Sequence, residues 1–276
     1  MSALFTNTLQ YLINGSPNGL ITPFDRGFAY GDGVFRTMKM VNGMPEAWPL
    51  HYQKLVADCG KIGIVAPSAE LLIHDLTQLF SVNEIAVAKI VITRGESARG
   101  YAPPAVSLPL RVVIKSELPN FPVDNRIKGV RLFLCDIQLA HQPKLAGIKH
   151  LNRLESVLAR AEWHDLSFAD GLMLDLENNV IECTAGNIFA RFGHELITPD
   201  LSGCGVAGVM RERIMQLAPS LGLTMTIQKL SLAQLKQADE VFICNSLYGV
   251  WPVVGCDGYT WQLLGLTDNI NDALQS

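Results

Sequence analysis

Ile148-Lys149-His150-Leu151-Asn152-Arg153-Leu154-Glu155 and, one strand pair further on, Val180-Ile181-Glu182-Cys183-Thr184-Ala185-Gly186-Asn187-Ile188-Phe189 are the stretches whose reading decides this chain. In the first, Leu151, Leu154, Leu158 and Ala161 form an apolar stripe at helical spacing, so the sequence predicts a helix starting immediately after Lys149. A lysine at the mouth of an apolar helix has the surroundings that depress an ammonium pKa and make the amine a nucleophile. Arg153, one helical turn on, acts in the same direction. In the second stretch Glu182 stands alone among uncharged residues. Taken singly, each has a plainer reading, because most lysines solvate a helix start and most lone glutamates lie on an exposed strand edge.

Working outward, the run 34–41 alternates as a half-buried strand, and Asn42-Gly43 after it is a strong two-residue hairpin turn. Pro49 suits the first turn of a helix, in which Leu55, Val56, Cys59 and Ile62 recur at helical spacing. Ala86–Thr93 and 110–114 are short and rich in Val and Ile, as buried strands are. Pro119-Asn120-Phe121-Pro122 denies both helix and central-strand pairing and marks a linker, which divides the chain into 1–119 and 120–276. Beyond it the pattern predicts strands over 171–176 and 180–192 joined through Asn178-Asn179, a helix over Val209–Leu217 and a final strand over 240–244. His150, beside Lys149, is read as a helix-packing residue.

A chain of 276 residues, 49% hydrophobic, has enough apolar material for one large domain or two modest ones. A net charge of −4 with interspersed signs advertises neither nucleic acid nor a membrane surface. Met1–Thr8 lacks the basic start of a secretory signal and the arginines of a transit peptide, so a cytoplasmic location is expected. The six cysteines form no C-x-x-C pair and read as buried thiols; the six histidines have no metal-ligand spacing, so no metal is expected.

The glycine-bearing turn Gly205-Val206-Ala207-Gly208 runs into Val209-Met210-Arg211, a helix N-terminus whose unpaired N–H groups and dipole favour a dianion. Asn245 and Ser246, at a strand end, add side-chain donors. Thr93-Arg94-Gly95-Glu96-Ser97-Ala98-Arg99-Gly100-Tyr101 offers two arginines in a polar loop suited to substrate carboxylates. A nucleophilic lysine and an acid for a ring nitrogen are the two protein groups that pyridoxal phosphate needs to act as an electron sink.

These blocks, with Asp25-Arg26-Gly27-Phe28-Ala29-Tyr30-Gly31-Asp32-Gly33-Val34-Phe35, His51-Tyr52-Gln53-Lys54-Leu55 and Ile243-Cys244-Asn245-Ser246-Leu247, carry a resemblance. The chain resembles the class IV aminotransferase superfamily, the fold type IV pyridoxal phosphate enzymes, from Leu12 to Val253. The resemblance implies an α/β fold of the α+β type, like the D-amino acid aminotransferases. It also implies a smaller N-terminal domain over 1–119 and a larger C-terminal domain over 120–276 carrying the lysine, with the cofactor between them. The implied cofactor is pyridoxal 5′-phosphate, with Lys149 as the Schiff-base lysine and Glu182 as the partner of the ring nitrogen. Its remaining contacts would be Lys54, Arg153, Asn245, Ser246 and the backbone of Val209 and Met210. Tyr30, Thr37, Arg99 and Tyr101 are the implied substrate residues, and the assembly a homodimer. Lys54 departs from the family's His-x-x-Arg-Leu pattern; an ammonium there keeps the charge and loses the bidentate fork. Within the superfamily, Lys149–Glu155 and Cys244-Asn245 are most similar to lyases that release 4-aminobenzoate and pyruvate from 4-amino-4-deoxychorismate. An aminotransferase acting on branched-chain or D-amino acids is the alternative, and a non-catalytic cofactor scaffold a more distant one.

Overall fold

The computed structural model describes residues 10–275, so the expectation drawn from Met1–Thr8 lies outside the described residues. By their internal contacts the residues form two compact units, Met1–Pro119 with Lys149–Asn152, and Asn120–Ile148 with Arg153–Ser276. Lys149 thus clusters with the first unit, not with the second as the sequence implied.

The first unit is built on five strands, β1 (Gln10–Ile13), β2 (Gly33–Val41), β3 (Met44–Pro45), β4 (Ala86–Thr93) and β5 (Leu110–Ser116), paired in the order β1-β5-β4-β2-β3. Every pairing is antiparallel. Between β2 and β3, Asn42 and Gly43 both take positive φ, 53° and 76°, the left-handed pair that a two-residue hairpin turn demands. β2 alternates strictly, with Val34, Arg36, Met38 and Met40 buried and Phe35, Thr37 and Lys39 half-buried on its other face. The helix Trp48–Lys61, with Pro49 in its first turn, packs on β2 and buries His51, Leu55, Asp58 and Cys59. A second helix, Ala69–Leu79, starts where the Ser68 hydroxyl accepts from the Leu71 N–H.

The predicted helix after Lys149 is corrected by the structure. Residues 149–152 are extended against β2, with the Phe35 N–H donating to the Lys149 carbonyl at 2.9 Å and the Leu151 N–H to the Gly33 carbonyl at 3.0 Å. His150 bridges Val34 on this edge, so it lies on a strand-paired segment and not in the helix. β3 pairs only with Met40 and Val41, which leaves this stretch of the β2 edge with donors and acceptors to satisfy. The helix begins at Leu154 and ends at Ala161; Leu154 and Leu158 of the expected stripe are exposed, and Ala159 is the buried member. Pairing to an open strand edge has overridden helical periodicity.

The second unit carries β6 (Val130–Leu139), β7 (Phe168–Asp175), β8 (Val180–Cys183), β9 (Asn187–Phe192), β10 (Glu195–Pro199), β11 (Thr224–Gln228), β12 (Glu240–Asn245), β13 (Gly249–Cys256) and β14 (Tyr259–Thr260). They form one mixed sheet in the order β11-β10-β9-β12-β13-β6-β7-β8, with β14 on β13. The run expected as one strand over 180–192 is two, broken at Thr184-Ala185-Gly186, where the Cys183 N–H donates to the Gly186 carbonyl at 2.7 Å. The strand expected to be last is followed by β13, which tolerates Pro252 because its pairing with β6 begins at Val253. Val180, Ile188, Val241, Ile243 and Trp251 line one apolar core, while Phe189 and Phe242 stack at 5.0 Å in another. The fold is therefore of mixed α/β class. All six cysteines are buried and unpaired. Among the described residues no helix is long and apolar enough to cross a membrane, and no group of three His, Cys, Asp or Glu is arranged to hold a metal.

Candidate active site

In the first unit, the buried face of β2 meets the buried face of the helix Trp48–Lys61, and both carry charge. Asp58 is fully buried; its Oδ2 faces the Arg36 guanidinium and also accepts from the backbone N–H of Lys149 at 3.1 Å. Its Oδ1 takes the Lys54 ammonium, one helical turn away. Burial pushes Lys54 down to about 7, with the charges of Arg36, Lys61 and Lys149 adding to the shift. Burial likewise lowers Arg36, to about 10, and raises the Cys59 thiol to about 11 against the pull of Arg36. On the opposite face of β2, the Lys149 Nζ lies 4.8 Å from the centre of the Phe35 ring, with Thr37 two residues along.

The same unit sets Tyr30, the last residue of the short helix Arg26–Tyr30, beside the loop that carries Arg99 and Tyr101. Arg26, 4% exposed, donates from its Nε to Asp32 at 2.8 Å, and from its terminal nitrogens to the Ser97 hydroxyl at 3.0 Å and the carbonyls of Gly100 at 3.0 Å and Tyr101 at 2.8 Å. The Tyr30 and Tyr101 rings meet at 5.4 Å, and Arg99 is exposed between these contacts. Of the two arginines expected to serve substrate, Arg94 is corrected. It is buried and committed to Asp32 at 2.7 and 2.9 Å and to the carbonyls of Gly63 and Ile62 at 2.8 and 2.6 Å. A guanidinium with that many fixed acceptors is a brace.

In the second unit Glu182 is buried in β8, so the exposed-edge reading fails. Its Oε2 accepts from the Val206 N–H at 2.8 Å and from the Asn187 amide at 3.5 Å. Asn187 also donates to the Val206 carbonyl at 2.8 Å and accepts from the Gly208 N–H at 3.1 Å, so one side chain fixes both ends of the glycine turn. Gly205 sits at φ 83°, and a Cβ there would lie 2.7 Å from Ile181 Cγ2; only glycine lets this turn close over Glu182. The helix Val209–Leu217 follows, with Gly208 as its N-cap and no capping side chain. The N–H groups of Val209 and Met210 consequently belong to the first turn, which has no acceptors within the helix. Arg153 is at the N-cap of the helix Leu154–Ala161, where burial lowers its pKa and the charges of Glu182 and Glu155 oppose that. Asn245 donates to the Ala185 carbonyl at 3.1 Å and accepts from the N–H groups of Leu247 and Tyr248, bracing the turn in which Ser246 is half-buried.

The sequence reading missed Arg36, Asp58, Arg26 and Asn187 as parts of these arrangements. A signal existed for two of them: Arg36 occupies an inward position of the alternating strand, and Asp58 lies on the apolar stripe beside Leu55 and Cys59.

A mixed α/β chain of two units, one with a lysine on a strand edge and one with a buried glutamate beside a glycine turn and helix N-terminus, defines a class of enzyme-like folds. Residues 33–256 match the model of the amino-transferase class IV family, and the chain belongs to that family. It is 38% identical over 246 residues to an aminodeoxychorismate lyase of Vibrio harveyi, covering 89% of this chain and 91% of that one. The crystal structure of 4-amino-4-deoxychorismate lyase from Pseudomonas aeruginosa superposes with a TM-score of 0.92 at 42% identity, covering 96% and 98% of the two chains. A D-alanine aminotransferase of Listeria innocua is 29% identical over 85% of this chain and 81% of its own.

Proposed function

We propose that this chain is a pyridoxal 5′-phosphate-dependent aminodeoxychorismate lyase, converting 4-amino-4-deoxychorismate to 4-aminobenzoate and pyruvate for folate biosynthesis. The observation that carries the reading is the likeness, over nearly the whole chain, to two lyases at 38% and 42% identity, in a chain that has both the lysine and the buried glutamate.

The residues fit the cofactor chemically. Arg36 and Lys54 share a single carboxylate, Asp58, and the charge of Lys149 also acts on Lys54, leaving an excess of positive charge suited to a phosphate dianion. The first-turn N–H groups of Val209 and Met210 are donors of the kind that hold phosphate, and Ser246 and Asn245 lie at a neighbouring strand end of the same unit. Glu182 supplies a fixed acid for a ring nitrogen. When bound, the cofactor supplies a sink for the electrons of a broken C–H bond.

Lys149 would hold the cofactor through Nζ, and the same nitrogen, as a free amine, would be the base that takes the proton from the amine-bearing carbon of the substrate. Glu182, its orientation fixed by Val206 and Asn187, would be the group that keeps a proton on the ring nitrogen. Lys54 anchors phosphate charge, and Arg153 sets the electrostatics around Glu182. Arg99, Tyr101, Tyr30 and Thr37 receive the substrate carboxylates, with Arg26 holding the loop that bears two of them. The enolpyruvyl ether leaves as the substrate ring becomes aromatic, which favours elimination over transfer of the amine. The enzyme works as a homodimer in the cytoplasm, with exposed Phe24, Phe28 and Leu108 of the first unit on its subunit contact.

The test is to mix purified protein with 4-amino-4-deoxychorismate in the absence of any amino acceptor. Release of 4-aminobenzoate and pyruvate is expected. Product only after a keto acid is added would make the chain an aminotransferase instead.

A further inference from the structure

Two cations, Arg36 and Lys54, share one buried carboxylate in the first unit, and they are not equivalent. Arg36 has a side chain 3% exposed and points into the core face of β2, whereas the Lys54 side chain is 22% exposed. Of the two side chains paired with Asp58, Lys54 is the one an incoming anion can reach. Lys149 is tied to the same carboxylate through its backbone, which leaves its ammonium to the other face of the strand.

Resting on the cofactor reading above, we infer that Asp58 is a positioning residue: it fixes the backbone of Lys149 and, shared between Arg36 and Lys54, makes Lys54 a phosphate anchor that works only while protonated.

The charges that face Lys54 come from every element around it: Asp58 and Lys61 from its own helix, Arg36 from β2 and Lys149 from the strand-edge segment. Burial, with the charges of Arg36, Lys61 and Lys149 adding to it, pushes Lys54 down to about 7, whereas an arginine in its place would keep its charge. Phosphate monoesters are dianions above about pH 6. Binding one at higher pH therefore requires Lys54 to take up a proton, so affinity weakens as pH rises, by up to about tenfold per unit. Arg36 and Asp58 set where that weakening starts, in opposite directions. Losing Arg36 removes a repulsion and leaves Asp58 wholly to Lys54, which moves the onset to higher pH. Losing the charge of Asp58 strands Lys54 among cations and moves it to lower pH.

The experiment uses the full chain freed of cofactor and the probe pyridoxine 5′-phosphate, which has no aldehyde and so does not react with Lys149. Its dissociation constant is measured by fluorescence titration from about pH 6.5 to about pH 9 for wild type, Lys54→Arg, Arg36→Met and Asp58→Asn. The wild type is expected to lose affinity through this range and Lys54→Arg to stay flat. Arg36→Met and Asp58→Asn are expected to shift the profile to higher and lower pH respectively. A merely structural role would weaken both variants at every pH without shifting the profile, and that result would overturn the inference. So would identical profiles for wild type and Lys54→Arg, a comparison that stands even if Arg36→Met does not fold. Failure of the wild type to bind the probe at any pH would overturn the cofactor reading and this inference together.

Discussion

The two units offer an anion opposite kinds of welcome. In the first, the positive potential is carried by side chains, Arg36 and Lys54 on Asp58 and Lys149 on the other face of β2. In the second it is carried by backbone N–H groups at the start of the helix Val209–Leu217, held in place by the neutral amide of Asn187. Side-chain cations answer a change of environment by shifting protons, so they give pH-dependent behaviour. Backbone donors have no proton to yield, so they answer only by losing their position. Lys149 belongs to the titrating region and Glu182 to the rigid one, and each prediction below breaks or sharpens that division.

The largest effect is expected at Lys149. Borohydride treatment of the cofactor-loaded wild type should leave the reduced cofactor on the peptide containing Lys149, and Lys149→Ala should abolish both the attachment and the yellow colour. Peptide mapping that found it on Lys54 would exchange the roles within the cationic cluster.

Next in size is Glu182→Gln, which keeps the shape of the side chain and removes its charge. Turnover should drop on the order of 10²- to 10⁴-fold, with cofactor content nearly unchanged. Single-turnover kinetics on the saturated variant decides the matter, because unimpaired proton removal there would leave Glu182 as a purely structural group.

Asn187→Ala tests the rigid region by itself. It strips partners from the Val206 carbonyl and the Gly208 N–H, and buried backbone groups left unsatisfied cost about 1–3 kcal/mol. Urea midpoints should fall by the same amount at pH 6.5 and about pH 8.5, since nothing in this turn titrates between them. A loss that grew with pH would mean that a charged group is coupled to the turn.

The hairpin at Asn42-Gly43, the helix Val209–Leu217 and strands β2, β4 and β5 were legible because local chemistry and tertiary pairing agree there. The Lys149 segment was not, because its apolar spacing is helical while its hydrogen bonds go to the β2 edge, a partner more than a hundred residues earlier in sequence. β6, β10, β11 and β13 escaped for the same reason; they are defined by neighbours in the sheet, and β13 even contains a proline. At the site, the lysine and glutamate stood out by resemblance, whereas Asp58 and Arg36 mattered only once strand and helix faces were brought together. Arg94 erred in the other direction: an arginine in a polar loop looked available, and three acceptor residues, Asp32, Ile62 and Gly63, hold it.

The smallest expected effect belongs to Asp32, which lies in the first unit but is held by ion pairs that do not touch Asp58. Burial works to raise its pKa, yet hydrogen bonds from Arg94 and Arg26, with the charges of both, hold it below the usual 3.8. A depressed folded-state pKa means that the carboxylate adds stability above the unfolded value, and that this is lost as pH falls through the folded value. Asp32→Asn should therefore cost at neutral pH, and the cost should shrink toward pH 3. The side chain is 16% exposed and only partly desolvated, so the loss is at most about 1 kcal/mol. Because Arg26 keeps its bonds to Ser97, Gly100 and Tyr101, the loop they belong to stays placed and the Michaelis constant should move little. Paired urea titrations of wild type and variant at neutral and acid pH measure the first effect, and steady-state kinetics the second. A difference that persisted undiminished at pH 3 would show that Asp32 acts through shape, and that the titrating character of the first unit is confined to the cluster around Asp58.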